Sequence, residues 1–147
     1  MTVDGHRFFV STSHDVQRRL VELRRRLQAI VDYTSARNYP DAKRSARLKR
    51  RWRRTIIGDT MASDPEAAYV LNGGSELRLC MKSMNDGNTM MYVGIHELSH
   101  LMTQRWRSHG DDFSENMRLL LDVAIDIGVY TYTDYGSSPQ NVCGTWL

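Results

Sequence analysis

The sequence predicts a single α+β domain. Apolar residues recur at helical spacing on both sides of two short segments that alternate like β-strands. The length of 147 residues allows one hydrophobic core but not two. We therefore expect one domain over residues 1–147, with a basic helical part at residues 1–57 and a part with a small antiparallel sheet at residues 65–147.

The composition, 41% hydrophobic and 25% charged residues, is typical of a globular protein. No apolar run reaches the roughly 20 residues of a membrane span, and the first residues lack the apolar core of a signal peptide. We expect an intracellular protein without membrane contact, in the cytoplasm or nucleus, or in a virion if it is viral. The two cysteines, Cys80 and Cys143, are too few for a disulfide framework, so we expect thiols.

The first two helices are predicted at residues 15–34 and 40–54. Apolar residues recur at helical spacing in the first one, which Thr12 or Ser13 is placed to cap. Pro40, in a turn-forming stretch, suits the first position of the second helix. The residues of the second helix that we expect to face the core are Leu48, Trp52 and Ile56.

These helices carry most of the positive charge. Residues 1–54 hold 15 of the 20 Lys and Arg but five of the 17 Asp and Glu, a net charge of +10, whereas the remainder carries −7. A charge run is usually a solvated helix face. Guanidinium groups also pair with phosphate oxygens, and a positive field attracts nucleic acid, so we predict largely sequence-tolerant contacts with DNA. The candidate residues are Arg18, Arg25, Arg44, Arg47, Arg50, Arg51 and Arg54.

Two strands are predicted at residues 67–71 and 76–82. Asn72-Gly73-Gly74 between them is a strong hairpin signal. Residues 58–65, which precede them, are rich in turn formers and are expected to be a connection. The apolar face of the second strand consists of Leu77, Leu79 and Met81.

The third helix, predicted from about residue 90 and capped by Asn88 or Thr89, carries His96-Glu97-Leu98-Ser99-His100. Residues four apart lie on one helical face, so His96 and His100 can direct imidazole nitrogens at the same ion. Glu97 lies at the edge of that face, where its carboxylate can reach a metal-bound water. This spacing predicts a zinc site. Gly94 in the same helix allows another element to approach closely.

Catalytic zinc usually has three protein ligands and a water in the fourth position. His109 is the candidate third ligand, because residues 104–108 are long enough to leave the helix and Gly110 allows the chain to turn back. Competitors, since zinc also accepts carboxylates, are Asp111, Asp112 and Glu115.

A fourth helix is predicted at residues 111–127, ended by Gly128, with an irregular tail at residues 129–147. An oxyanion formed at the metal can be stabilised by a tyrosine or an arginine, and no spacing selects among the candidates. These are Tyr130, Tyr132, Tyr135 and Arg105. Cys143 is an alternative ligand that could mask the metal, although an ordinary thiol is the simpler interpretation.

With these residues assembled, the chain resembles the WLM and SprT-like zinc metallopeptidases, which include Spartan-type proteases acting on DNA–protein crosslinks. The likeness is greatest to short WLM-like proteins of large DNA viruses and covers residues 65–147 best. The matching segments are residues 67–80, 95–100, 109–113, Asp134-Tyr135, Pro139 and Cys143-Gly144.

The resemblance implies a zincin-like fold, zinc bound by His96, His100 and His109, and Glu97 as the general base. The expected activity is zinc-dependent cleavage of proteins, including DNA-bound or DNA-crosslinked ones, with the peptide paired along the hairpin, for example at residues 76–82. The alternative is a nucleic-acid-binding protein with a structural zinc. Structural sites usually have four ligands, often cysteines, and no such cluster accompanies these histidines, which favours the catalytic interpretation.

Overall fold

A computed structural model of the chain describes residues 2–3, 6–8, 14–59, 69–71, 75–81, 86–105, 109–135, 137, 141–142 and 145–146. This part of the chain has an α+β architecture, as the sequence predicts. Its helices are α1 (His14–Arg37), α2 (Ala42–Arg53), α3 (Gly87–Met102) and α4 (Asp111–Asp126). Its strands are β1 (Thr2–Val3), β2 (His6–Arg7), β3 (Ile56–Asp59), β4 (Tyr69–Leu71), β5 (Glu76–Leu79), β6 (Asn141–Val142) and β7 (Thr145–Trp146).

The main sheet has the order β3-β5-β4. The predicted hairpin is confirmed, since β4 pairs antiparallel with β5, Val70 opposite Leu77. The sheet is mixed rather than antiparallel, because β3 pairs parallel with β5, Ile57 opposite Leu77. The predicted connection at residues 58–65 is therefore wrong at its start, where Gly58 and Asp59 continue β3. Only two adjacent apolar residues mark this strand locally, and its pairing is with a distant segment.

The helices agree with the apolar periodicity, and α4 starts at Asp111 as predicted, but the start of α2 differs from the prediction. α2 is capped by Asp41, which accepts a hydrogen bond from the Arg44 backbone N–H at 2.8 Å, so Pro40 precedes the cap instead of opening the helix. The prediction for α2 is confirmed at its buried Leu48 and Trp52, whereas Ile56 belongs to β3. The predicted caps of α1, Thr12 and Ser13, lie outside the described residues.

Helix α3 lies at the centre of the helical layer and contacts α1, α2 and α4. Its cap is Asp86, not Asn88 or Thr89, and the Asp86 carboxylate accepts a hydrogen bond from the Asn88 backbone N–H at 3.0 Å. The close approach expected at Gly94 is confirmed, because a Cβ there would lie 3.3 Å from methyl groups of Leu23 and Leu27 of α1. The glycine thus sets the packing distance between α1 and α3.

The tail begins where α4 ends. Gly128, with φ of +80°, ends the helix as predicted, and the following Val129 N–H donates to the Ala124 carbonyl at 2.9 Å. Residues 129–135 are irregular, but β6 and β7 form a short antiparallel pair, so the prediction of an irregular tail holds only in part. Strands of two residues are too short to show an alternation of apolar and polar residues in the sequence.

Cys80, at the end of β5, is buried and disulfide-bonded, so the prediction of a thiol is wrong for this residue. The number of cysteines in a sequence does not show whether the fold places a given cysteine where it can form a disulfide. Cys143 lies outside the described residues. No helix in the described ranges is long and apolar enough to cross a membrane.

Gly94→Val should lower the free energy of unfolding by about 1–3 kcal/mol, because the added methyl groups overlap the leucines of α1. Urea denaturation measures this change. Gly87→Ala is the control at the start of the same helix, where the nearest atom to a new Cβ is Nη1 of Arg26, 4.0 Å away. Equal destabilisation by both substitutions would contradict the close approach of α1 to α3.

Candidate metal centre

One strip of α3 is less buried than the rest of the helix. Asn88, Tyr92 and His96 are half-buried, while residues 89–91, 93–95 and 97–102 are buried. The three half-buried residues are spaced four apart and therefore lie on one face. His100 continues this face one turn further along, where it is 7% exposed. Side chains that can meet a ligand from solvent are thus confined to a single line along the helix.

His109 lies beside this strip, together with His96 and His100. One ligand atom from each imidazole lies within 4.8 Å of the others. The ring centroids are 5.1 Å apart for His96 and His100, 5.5 Å for His96 and His109, and 4.6 Å for His100 and His109. The predicted convergence of the three histidines is therefore confirmed.

No carboxylate of the described residues joins this group. Asp111 and Asp112 are exposed, and the Asp112 carboxylate accepts a hydrogen bond from the Phe113 backbone N–H at 2.9 Å. Glu115 points to α2, where its carboxylate is 3.6 Å from the Arg44 guanidinium. These three competitors for the third ligand position are not brought to the histidines.

Phe113, in the first turn of α4, is a part of the site that the sequence did not reveal. Its ring centroid lies 5.0 Å from that of His96, 4.5 Å from that of His100 and 5.0 Å from that of His109. The ring is buried and contacts all three imidazoles, so it limits their rotation and keeps water from one side of the cluster. In the sequence, the only indication of this contact is that Phe113 follows His109 by four residues. An ordinary core residue could have the same spacing.

Burial controls the protonation of the cluster. It lowers the pKa of His96 to about 4, with a smaller contribution from His109, so His96 is a neutral imidazole with a free lone pair at neutral pH. Glu97 is 5% exposed, and burial raises the pKa of its carboxyl to about 8. The Glu97 Oε1 atom lies 3.9 Å from His96 Nε2, close to a ligand atom of the cluster.

The donor set fits a divalent transition metal, because imidazole nitrogens are suited to zinc, copper, iron and nickel. His96 is half-buried and His109 is exposed, so the cluster is open to solvent on one side. Three protein ligands with an open side are typical of a metal centre that keeps one position for a small molecule.

The seven arginines proposed for DNA contact have different environments. Arg44 pairs with Asp41 at 2.6 Å, and Arg47 and Arg51 donate to carbonyls at the end of α3. Arg18 and Arg25 are exposed but lie near acidic residues of their own helix, Arg18 at 3.3 Å from Asp15 and Arg25 at 3.8 Å from Glu22. Arg50 and Arg54 are exposed on α2.

The oxyanion candidates also differ. Tyr132 is 71% exposed, Arg105 is exposed and Tyr130 is buried. Tyr135 packs edge-on against Tyr92, with ring centroids 4.9 Å apart. The ring centroid of Tyr130 lies 6.2 Å from that of Tyr92, so the tail holds both Tyr130 and Tyr135 against the strip of α3, one turn before His96.

Comparison with known proteins finds two relatives, and neither has a described activity. No family model matches the chain, and no solved structure matches it. The chain is 30% identical over 82 residues, 52% of its length, to an uncharacterized protein of Acanthamoeba polyphaga mimivirus, of which 41% is covered. It is 34% identical over 80 residues, 51% of its length, to an uncharacterized protein of Invertebrate iridescent virus 3, of which 49% is covered. The chain thus spans less than half the length of these curated relatives.

The raised pKa of Glu97 predicts a pH dependence of the metal-free protein. Between the ordinary value of 4.5 and about 8, the folded state binds more protons at Glu97 than the unfolded state, so the free energy of unfolding falls as pH rises. Glu97→Gln removes this dependence. We expect the variant to match the wild type near pH 4.5 and to be more stable by roughly 3 kcal/mol at pH 7.

Urea denaturation in excess chelator, repeated across this pH range, measures the difference. A constant difference between the two proteins at all pH values would contradict the burial of an ionisable carboxyl at this position.

Proposed function

We propose that the protein is a zinc-dependent endopeptidase with a zincin-like fold, as its resemblance to WLM and SprT-like metallopeptidases implies. His96, His100 and His109 are the proposed zinc ligands, and Glu97 is the proposed general base. The observation that supports this most is the convergence of three imidazoles beside one buried carboxylate, with one side of the cluster open. A structural zinc site would be expected to use a fourth protein ligand and to be closed.

When bound, zinc supplies a Lewis acid that polarises the scissile carbonyl and acidifies water. The carboxylate of Glu97 takes a proton from the attacking water as the new C–O bond forms. The same carboxyl then gives that proton to the amine nitrogen as the peptide C–N bond breaks, so Glu97 ends the cycle as it began. Burial raises the pKa of Glu97 in the metal-free protein to about 8. A nearby zinc ion would favour the charged form and lower this pKa, so Glu97 would be ionised at neutral pH and could accept the proton.

The sheet indicates where a peptide would bind. β5 lies between β3 and β4, so the expectation that residues 76–82 offer a free edge is wrong. In the described part of the main sheet, β4 is the outer strand on the side opposite β3, and it contacts α3. An extended substrate that pairs with the backbone of β4 would therefore run near the helix that carries His96 and His100.

DNA contact is proposed for one face of α2. Lys49, Arg50, Arg53 and Arg54 are exposed, and within the described ranges none of the four has an ion pair. They form two adjacent rows of like charges spaced four apart, which destabilises an isolated helix. A bound phosphate backbone would relieve that repulsion, so this face would hold DNA while a protein bound to the same DNA reaches the metal.

Glu97→Gln should retain zinc and lower the rate of cleavage of an unfolded protein substrate by about 10³-fold or more, because only the proton-transfer group is removed. Zinc content by elemental analysis and fragments on gels, with and without DNA, measure both properties. Glu115→Gln is the control, since Glu115 lies in the same region but points to Arg44. Unchanged cleavage by the Glu97 variant, or loss of its zinc, would contradict the assignment.

Arg50→Glu with Arg54→Glu should weaken binding to a duplex oligonucleotide by about 10-fold or more at 0.1 M salt and should lower the salt dependence of the affinity. Fluorescence anisotropy at several salt concentrations measures this. Arg18→Glu with Arg25→Glu makes the same change of charge on α1, near Asp15 and Glu22. An equal loss of affinity in this control would show that net charge, not the face of α2, determines binding.

A further inference from the structure

We propose that Arg51 is a positioning residue for the third metal ligand, His109. Arg51 does this by fixing the C-terminal end of α3, from which the chain departs towards His109. This inference rests on the proposed metal centre of His96, His100 and His109, but not on the peptidase activity.

Arg51 binds three backbone carbonyls at the end of α3. Its Nη1 donates to the carbonyl oxygens of Leu101 at 3.1 Å and Thr103 at 2.6 Å. Its Nη2 donates to the carbonyl oxygen of Gln104 at 3.1 Å. The last carbonyls of a helix have no helical partner and carry partial negative charge, and the planar fork of a guanidinium can bind several of them at once.

Arg47 completes this arrangement, since its Nη1 donates to the Met102 carbonyl at 2.9 Å. Two guanidinium groups of α2 therefore bind four consecutive carbonyls, those of residues 101–104. This geometry has an electrostatic cost, because burial, followed by the charges of Arg47, Arg50 and Arg54, lowers the pKa of Arg51. A helix end that required only solvation could use water instead.

A second contact joins the C-terminal end of α3 to α4. Thr103, which is 1% exposed, accepts a hydrogen bond at its Oγ1 from Asn116 Nδ2 at 3.1 Å. Asn116 Oδ1 in turn accepts a hydrogen bond from Arg44 Nη1 at 2.9 Å. Asn116 lies one turn after Phe113, the residue whose ring contacts all three imidazoles. The start of the connection and the helix that follows it are thus held in one network.

In the sequence, His109 lies between the two fixed segments, the end of α3 at Thr103 and the start of α4. It precedes Gly110, the N-cap of α4, and six residues, 104–109, separate Thr103 from Gly110. Because only six residues join Thr103 to Gly110, the position of Thr103 limits the positions open to Gly110 and to His109 before it. His109 therefore loses little conformational freedom when it binds a metal, whereas releasing the Thr103 end would give it more positions away from His96 and His100.

The test is titration of the metal-free protein with Co²⁺, which reports affinity and, through its visible absorption, the number of ligands. The variants are Arg51→Gln, His109→Ala and the double variant. Arg118→Gln is the control, because it removes the same charge from an exposed position on α4. Urea denaturation of each variant shows whether it is folded.

We expect Arg51→Gln to weaken Co²⁺ binding by about 10-fold and to change the spectrum towards that of His109→Ala. Arg118→Gln should bind like the wild type. In the His109→Ala background, Arg51→Gln should have almost no further effect, since the ligand through which it acts is absent. Should Arg51→Gln not fold, Arg51→Lys keeps the charge without the fork and should show a smaller loss of affinity.

The inference is overturned if Arg51→Gln, or Arg51→Lys when the former does not fold, binds Co²⁺ like the wild type. It is also overturned if Arg51→Gln weakens binding equally with and without His109, because the effect would then be on the whole helix. If the wild type binds no Co²⁺, or His109→Ala binds it unchanged, the metal centre itself is wrong. These outcomes are independent of peptidase activity, which the Glu97 variant tests separately.

Discussion

Three other helices bury α3, and this burial determines which of its side chains can meet a ligand from solvent. α1, α2 and α4 all contact this helix, and Gly94 allows the side chains of α1 to lie against its backbone. Because most of its surface is covered, polar side chains of α3 can reach solvent only along the strip of Asn88, Tyr92 and His96. Two of the candidate ligands, His96 and His100, lie on this face towards the end of the helix, and the third, His109, lies beside it.

The two ends of the strip are covered by different parts of the chain. At the first end, the side-chain amide of Asn88 donates to the Thr131 carbonyl at 2.9 Å and accepts from the Thr131 N–H at 2.8 Å, which holds the tail across α3. At the other end, Phe113 of α4 covers the imidazole of His100. His96 lies between these covers and is half-buried, and His109 is exposed, so a ligand would approach the cluster from the side of these two residues.

The arginines of α2 have two different roles, which the amino-acid composition does not distinguish. Arg47 and Arg51 bind the carbonyls of α3 and therefore stabilise the helix that carries the histidines. Other cations of α2, such as Arg50 and Arg54, are exposed and contribute to the field around the molecule. The same residue type thus supports the proposed metal centre on one face of α2 and the proposed DNA contact on another, as helical geometry allows for neighbouring residues.

Features that depend on residues near each other in the chain could be predicted from the sequence: the four helices, the hairpin, and the position of His96 and His100 on one helical face. The sequence also singled out His109, but could not decide between that residue and the nearby carboxylates. Tertiary structure placed His109, and none of those carboxylates, in one group with His96 and His100. It also placed Phe113 against the imidazoles, paired β3 with β5 and directed Arg51 to the end of α3. Some of these contacts join residues that are far apart in the sequence, and others depend on the path of a connection between helices. The local periodicity of apolar residues predicts neither kind of contact.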